Sequence, residues 1–588
     1  MSLSETSAAR AAKRVRIWYG LILFIAAIFG IRLFYLQVIQ YDHYKKAALS
    51  DQLKQYEIPA SRGIIMAHEG SKTVPIVLNQ RLFTIYADPL YIKDPATVAQ
   101  SLVPIIGGNE QDYVTKMQQK GLRYVILAKK VPEDQQKKIM AYGYPGIGAQ
   151  EQSYRTYPQG QMAAQLLGFV DESETGRYGI EQSLNRELTG TPGQLKAITD
   201  VNGVPLAASS NNISIAPKAG SDVLLTLDIA IQKQTESILQ KGVEQAKAEA
   251  GSAVVIDPYS GAIKAMANAP GYDPANYSNV NNAALFNNAA VAHPIEVGSA
   301  MKTLTTAAAL NQKVISPATT FYDPSRITVD GFTITNIEED GGPGTRSIAD
   351  LLNLSLNTGA TWELMQMGGG DLNRKARDTW YDYLSNHYRF GKQTGIEQGY
   401  EAAGYIPRPE NNGAGINLTY ANTAFGQAMT ATPLQMAGAL SSVLNGGTYY
   451  KPHVVDAIVQ PDGTTTPKQP EVVRRNVVSQ EVSREMIPLM QYVVDHHYIR
   501  PPFDQSKYIV GGKTGTAQIA KPDGGYYDDQ YNGTYVGFVG GDTVQYVIVV
   551  FINRPKIGGY AGTAAAQPVF ADIAHMLINN AYVTPKTK

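Results

Sequence analysis

A single apolar run near the N-terminus constrains this chain more than any other feature. Ile17 to Ile31 (IWYGLILFIAAIFGI) carries no charge, and Leu33 to Ile39 extends the run past Arg32 to 23 residues. At about 1.5 Å per residue such a helix clears a hydrocarbon core of roughly 30 Å. Arg10, Lys13, Arg14 and Arg16 precede it, so the positive-inside rule holds residues 1–16 in the cytoplasm and sends everything after about residue 40 outward. A cleavable signal peptide would need a small-x-small site after the run, and RLFYLQVIQYDHY follows instead. The expectation is an uncleaved, single-pass anchor in the cell membrane, embedded in the lipid bilayer, with one large extracytoplasmic part. Arg32 is tolerable near the outer interface, where its side chain snorkels, or against a partner helix.

Beyond the anchor the chain reads as globular. Apolar residues make up 44% and charged ones 17%, which fits neither a disordered tail nor a polytopic membrane protein. Lys plus Arg equals Asp plus Glu at 51 each, so the charge balance predicts no nucleic-acid partner. Cysteine is absent, which removes disulfides, thiolate metal sites and a cysteine nucleophile together. The eight histidines show no H-E-x-x-H spacing, and no metal or cofactor is expected.

Residues 40–215 read as short strands, turns and small helices broken by Pro, Gly and Ser. From 216 the texture changes. DVLLTLD reads as a strand, IAIQKQTESILQKGVEQAKAE as a helix, and GSAVVIDPYSGAIKAMANAP as a hairpin, an order that begins an α/β layered domain. Near the end YIVGGKTGTAQIA, GTYVGFVGG and QYVIVVFIN are three strand patterns expected to lie antiparallel in one sheet, followed by the helix TAAAQPVFADIAHMLIN.

Three short motifs lie in this second part. Ser299 to Lys302 reads S-A-M-K and opens a helix-forming run, where the i and i+3 side chains share a face and bring the hydroxyl to the amine. S-L-N occupies Ser355 to Asn357, and K-T-G-T occupies Lys513 to Thr516 after Gly511-Gly512 in a strand pattern. Glycines flanking a strand let another backbone approach, as an extended peptide adding to a sheet edge requires. Each motif alone has a structural reading as a helix start, a loop or a bulge. In this order the set is the signature of penicillin-binding proteins and class A β-lactamases.

The sequence resembles the class B penicillin-binding proteins over nearly its whole length. SRGIIMAHEG at 61–70, RTYPQGQMAAQLLGFV at 155–170 and GRYGIEQSLNRELTGTPG at 176–193 are similar to the family's pedestal segments. DPYSGAIKAMA, AFGQAMTATPLQMA at 424–437 and GGKTGTAQ are similar to its transpeptidase segments. Departures are Val297 and Thr303, where the family usually carries Pro and Pro, and His68-Glu69-Gly70, where Arg-Asn-Gly is common. The resemblance implies an anchor over 17–39, an irregular β-rich pedestal over 40–215, and over 216–588 a transpeptidase domain with a central antiparallel sheet flanked by helices, an α+β or α/β class.

It also implies the chemistry of a D,D-transpeptidase that crosslinks peptidoglycan stem peptides ending in D-alanyl-D-alanine. Ser299 is the implied nucleophile and Lys302 its base, which must be neutral part of the time, with Lys513 as the second cation that lowers its pKa. Ser355 would relay a proton and Asn357 would hold Lys302 and a substrate amide. Lys513, Thr514 and Thr516 would bind the terminal carboxylate, and Gly515 would keep the strand flat. The N–H groups of Ser299 and Thr516 would form the oxyanion hole. β-Lactam antibiotics would acylate Ser299, and a membrane glycosyltransferase of the shape, elongation, division and sporulation kind would be the partner. Rival readings are a β-lactamase, a D,D-carboxypeptidase, and a non-catalytic penicillin-binding receptor or scaffold. The first lacks an E-x-x-x-N loop after Ser299. His496-His497 reads as a helix end, and both Ile337–Thr345 and Lys521–Gly533 as solvated turns, with lining of the cleft as the alternative for each run.

Overall fold

The computed structural model describes residues 4–44, 53–198, 213–337, 341–410, 415–497, 499, 501–521 and 524–587. Helix Ser4–Phe34 runs into a π-turn at Tyr35–Ile39, and Lys13–Ile39 is long and apolar enough to cross a membrane, with a mean hydropathy of 2.2. Its large apolar side chains are exposed, as a lipid-facing surface requires. The Arg32 guanidinium lies 5.6 Å from the centre of the Tyr35 ring, near the C-terminal end of the run.

The chain forms two compact units, one of Met1–Ser61 with Gly190–Ala219 and one of Arg62–Thr189 with Gly220–Lys588. The first holds, besides the helix, a small antiparallel sheet of Leu53–Ile58, Gly193–Ile198 and Ile213–Ile215.

The second unit is built on two sheets. One is seven-stranded, and its main path runs Thr465–Pro467, Val455–Val459, Asp222–Asp228, Ile65–Glu69, Lys72–Ala87, Val125–Val131, with Ile147–Thr156 also pairing Lys72–Ala87. The expected strand, helix and hairpin are all present, and strand Asp222–Asp228 pairs with Ile65–Glu69 and Val455–Val459 while the hairpin lies in the other sheet. The three pedestal segments meet at one buried carboxylate: Glu181, wholly inaccessible, accepts from Nε of Arg62 at 2.8 Å and from Nε of Arg155 at 2.8 Å. A buried acid between two guanidinium groups is tolerable only because it is neutralised and hydrogen-bonded on both oxygens.

The other sheet has five strands, all antiparallel, in the order Ile263–Ala269, Ala250–Ile256, Val544–Asn553, Tyr526–Gly540, Ile509–Ala520. The three C-terminal strands pair as expected. In QYVIVVFIN alternate residues enter different cores: Val547, Val549 and Phe551 face one, Ile548, Val550 and Ile552 the other. An unbroken apolar run is what a strand covered on both faces needs. Helices Ile229–Gln245 and Gln567–Asn579 supply Leu239, Val243, Phe570 and Ile573 to the second core. Helices Lys302–Asn311, Pro433–Leu444 and Gln480–His496 contribute to the first. Pro433–Leu444 is buried at every position, and among its mostly apolar residues the buried Gln435 and Ser442 donate to backbone carbonyls. Lys302–Asn311 is buried through Leu310, and its alanines and threonines let neighbouring helices close on it.

Candidate functional site

Ser299 sits on a 3-10 turn, Gly298–Met301, that leads directly into helix Lys302–Asn311. In a 3-10 turn the i and i+3 side chains eclipse, which aligns Ser299 with Lys302 more closely than an α-helix would. Lys302 Nζ lies 3.0 Å from Ser299 Oγ. The same ammonium nitrogen reaches the Ser355 carbonyl, Ser355 Oγ at 3.2 Å and Asn357 Oδ1 at 2.8 Å. Two motifs 56 residues apart thus converge on one nitrogen.

The second motif is held under strain. Helix Ile348–Asn353 starts with a capping box between Ser347 and Asp350, and Ser355 follows it with a φ of 58°. That is the left-handed region, costly for a residue with a Cβ and a mark of over-determined sites. Asn357 then opens the next helix, Asn357–Met367, and its Nδ2 donates to the Thr335 carbonyl at 2.9 Å.

The third motif lies on the edge strand Ile509–Ala520. Lys513 is fully buried, and its Nζ donates to the Thr514 carbonyl at 3.1 Å and to Thr514 Oγ1 at 3.2 Å. Thr516 Oγ1 accepts from the Gly562 N–H at 3.0 Å, which leaves its own proton to donate. The glycines of this strand make room for the protein's own groups. A Cβ on Gly511 would meet the Phe538 ring, one on Gly512 the Tyr535 ring, and one on Gly515 the Val297 carbonyl oxygen at 2.3 Å.

Electrostatics make Lys302 unusual. Burial pushes its pKa well below the ordinary lysine value, and the neighbouring Lys513 cation lowers it further. Burial alone lowers Lys513 to about 7. Glu363, also wholly inaccessible, is raised to about 8 by burial, against the opposing pull of Thr306 and Lys302. Apart from the nearby Thr306 hydroxyl, neither Glu363 oxygen has a hydrogen-bond partner among the described residues.

These groups border a cleft of about 580 Å³ lined by Ser299, Ser355, Asn357, Thr514 and Thr516, with both lysines beneath its surface. Five of the eight expected site residues therefore line it, Lys302 is bonded to three of them, and Lys513 and Gly515 lie within the same strand segment as the two threonines. Sequence reasoning did not assign Phe425, Gln427 and His497, which also line it, as do Ile337 and Tyr531 from the two runs whose alternative reading is the cleft wall. Phe425 and Gln427 fall in the A-F-G-Q segment, and Lys302 Nζ lies 6.0 Å from the Phe425 ring centre. His497 ends helix Gln480–His496 as expected, yet its Nε2 pairs with the Asn353 carbonyl at 3.2 Å and its pKa is lowered by burial, then by Lys513. Residues 526–533, read as a turn, are the start of strand Tyr526–Gly540. Tyr526 hydroxyl donates to Glu296 Oε1 at 2.9 Å, and the Ala428 N–H donates to the same oxygen at 2.8 Å, which ties three elements around the serine turn. Of the run 337–345, residues 338–340 lie outside the described residues.

A buried amine at the foot of a serine hydroxyl, with hydrogen-bond donors on a facing edge strand, is an arrangement for acyl transfer. Comparison with known proteins agrees. Residues 251–575 match the penicillin binding protein transpeptidase domain, and residues 57–225 match the penicillin-binding protein dimerisation domain. Stage V sporulation protein D of Bacillus subtilis is 28% identical, the match covering 97% of this chain and 85% of the relative. Peptidoglycan D,D-transpeptidase FtsI of Escherichia coli is 27% identical, over 96% of this chain and 91% of that one. The crystal structure of penicillin binding protein 2X from Streptococcus thermophilus superposes with a TM-score of 0.72 at 23% identity, covering 90% of this chain and 80% of that one, a likeness of fold. With a transpeptidase domain spanning more than half its length and the dimerisation domain before it, this chain belongs to the class B penicillin-binding proteins.

Proposed function

We propose that the protein is a peptidoglycan D,D-transpeptidase working through an acyl-enzyme on Ser299. The observation that carries this reading is the buried Lys302 amine, of strongly lowered basicity, 3.0 Å from the Ser299 hydroxyl. Neutral Lys302 takes the Ser299 proton as Oγ attacks the carbonyl between the last two D-alanines of a stem peptide. The tetrahedral intermediate collapses, the C–N bond breaks, and a proton passed through Ser355 Oγ leaves with the D-alanine amine. An amine of a second stem then attacks the ester, and Ser299 recovers its proton as the crosslink forms. Lys513, Thr514 and Thr516 would bind the terminal carboxylate, and Asn357 a substrate amide. The Ser299 and Thr516 N–H groups would hold the oxyanion, a role supported by the approach of Gly298 to Thr516, whose nitrogen is 3.0 Å from where a Gly298 Cβ would stand.

In this reading residues 17–39 anchor the chain with the N-terminus cytoplasmic, residues 40–215 act as pedestal, and residues 216–588 carry out catalysis outside the membrane. A membrane glycosyltransferase would supply the strands to be crosslinked. β-Lactams, which present a strained amide to the same serine, would form a persistent ester.

The test is intact-mass spectrometry of the full-length protein with a penicillin, followed over hours beside Ser299→Ala. A lasting adduct on the wild type alone supports the reading. No adduct would point to a scaffold, and a transient adduct with consumption of the antibiotic would point to a β-lactamase.

A further inference from the structure

A second cleft, of about 360 Å³, lies between the seven-stranded sheet and the segment Pro274–Asn279. Its floor is one face of strand Ile147–Thr156, where Gln150, Gln152 and Tyr154 recur at the two-residue period and Thr84 stands opposite Gln150 on the neighbouring strand. The polar groups of this floor are fixed in advance. Gln152 Oε1 accepts from the Tyr154 hydroxyl at 2.9 Å and from Thr84 Oγ1 at 3.4 Å, and Gln150 Oε1 accepts from the Tyr124 hydroxyl at 3.2 Å. With both carbonyl ends engaged, the two amide NH2 groups remain, and neither makes a hydrogen bond among the described residues. Residues two apart on a strand stand about 6.7 Å from each other, so the cleft offers two amide donors in register.

Aromatic rings flank the donors. The Tyr277 ring is stacked on Phe169, centres 4.1 Å apart and planes 10° apart, so it is held rather than free to turn. Tyr154 lies under Lys130 Nζ, 5.9 Å from its ring centre. Two lysines brace the walls: Lys129 pairs with Glu172 at 2.8 Å, and Lys130 donates to the Ala275 carbonyl at 3.0 Å. At the back, Tyr157 is 8% exposed and its hydroxyl has no partner among the described residues.

The lining selects a ligand class by charge. Lys129, Lys130 and Arg155 are matched by Asp171, Glu172 and Glu174, so nothing favours a polyanion. Fixed amide donors, hydroxyls and ring faces suit a neutral ligand with many oxygen acceptors and apolar C–H faces. We propose that this cleft binds a neutral glycan bearing acetamido groups, whose carbonyls accept from Gln150 and Gln152 while a sugar face rests on a tyrosine ring. The choice of an acetamido sugar rests on the peptidoglycan reading of the serine site. The cleft is separate from that site, sharing no lining residue with it, and so gives the enzyme a hold on the glycan of a strand independent of its stem peptide.

The experiment is isothermal titration of the full-length protein in detergent, first acylated with a penicillin to block Ser299. The probes are strands of β-1,4-linked N-acetylglucosamine, which carry acetamido groups and no carboxylate, their free disaccharide, and a stem pentapeptide. Binding of strands or disaccharide, weakened at least tenfold in Gln152→Leu and in the more exposed Gln150→Ala, supports the proposal, and the two probes separate a polymer site from a single-unit site. Binding of neither sugar, binding unchanged in both variants, or capture of the pentapeptide alone would overturn it. Penicillin acylation of each variant, read by mass on the same samples, reports folding and tests the serine reading separately. Failure of acylation would count against that reading, and failure of sugar binding against the cleft.

Discussion

Gly298 and Thr516 touch backbone to backbone: a Cβ on the glycine would lie 2.5 Å from the Thr516 carbonyl oxygen, and Gly298 itself has a φ of 58°. The serine turn and the edge strand are thereby locked at the distance the site needs. Gly426 shares the junction, since its carbonyl accepts from the Gly298 N–H at 3.1 Å.

Replacing Gly298 by alanine adds both a left-handed strain and a clash with main chain that cannot rotate away. Gly298→Ala is expected to lose roughly 2–4 kcal/mol of stability, with slower penicillin acylation as the strand is pushed off the turn. Chemical unfolding and acylation kinetics check this. A variant of wild-type stability and rate would show that the junction is softer than it looks.

Lys302→Met keeps most of the side-chain volume and removes the amine. Loss of a general base costs about 10²–10⁴ in rate, so acylation is expected to fall by that factor. Stability should change far less, because the wild type already bears the cost of a buried lysine. Stopped-flow acylation and thermal melting of the same samples separate the two effects.

The pH profile of acylation carries a signed prediction. Lys513 disfavours the protonated form of Lys302, so Lys513→Met should let Lys302 hold its proton to higher pH. The rising limb of rate against pH then moves to the alkaline side, with a loss of carboxylate-dependent affinity besides. A limb that stays in place would mean that burial alone sets the base.

Glu363 makes stability depend on pH. Its folded pKa is about 8 against an ordinary 4.5, so the folded state holds the proton more tightly. Its favourable contribution is complete below about pH 4.5 and is lost as pH rises to about 8, a span worth roughly 5 kcal/mol. Glu363→Gln mimics the protonated form and should melt higher than the wild type at pH 8 and nearly equally at pH 5. Equal melting at both values would place the carboxylate in contact with a compensating cation.

Much of the site was legible in short-range pattern. Ser299 and Lys302 are three residues apart, and any tight right-handed turn brings them together. The strands 509–520, 526–540 and 544–553 follow from alternation and β-branched runs whose pairing is settled by sequence neighbours. What stayed hidden involved partners far away in the chain. The glycines at 511, 512 and 515 look like an open edge until Phe538, Tyr535 and Val297 are seen to fill the space beside them. His497 reads as a helix terminus, and only the fold places it beside Asn353 at the cleft. Glu363 drew no reading from the sequence, because nothing local announces that its side chain is wholly enclosed.

By itself the sequence determined the apolar run that can span a membrane, the order of strands and helices around the three motifs, and the residue types able to perform acyl transfer. Those properties depend on hydrophobic period and on spacing within a few residues, which act before the chain closes on itself. The tertiary structure alone decided that Asp222–Asp228 joins the seven-stranded sheet, that Ser355 is held in a strained conformation, and that Lys302 is stripped of water beside a second buried cation. Burial and charge proximity are sums over segments brought together from across the chain, and the lowered basicity of Lys302 exists only once those segments have met.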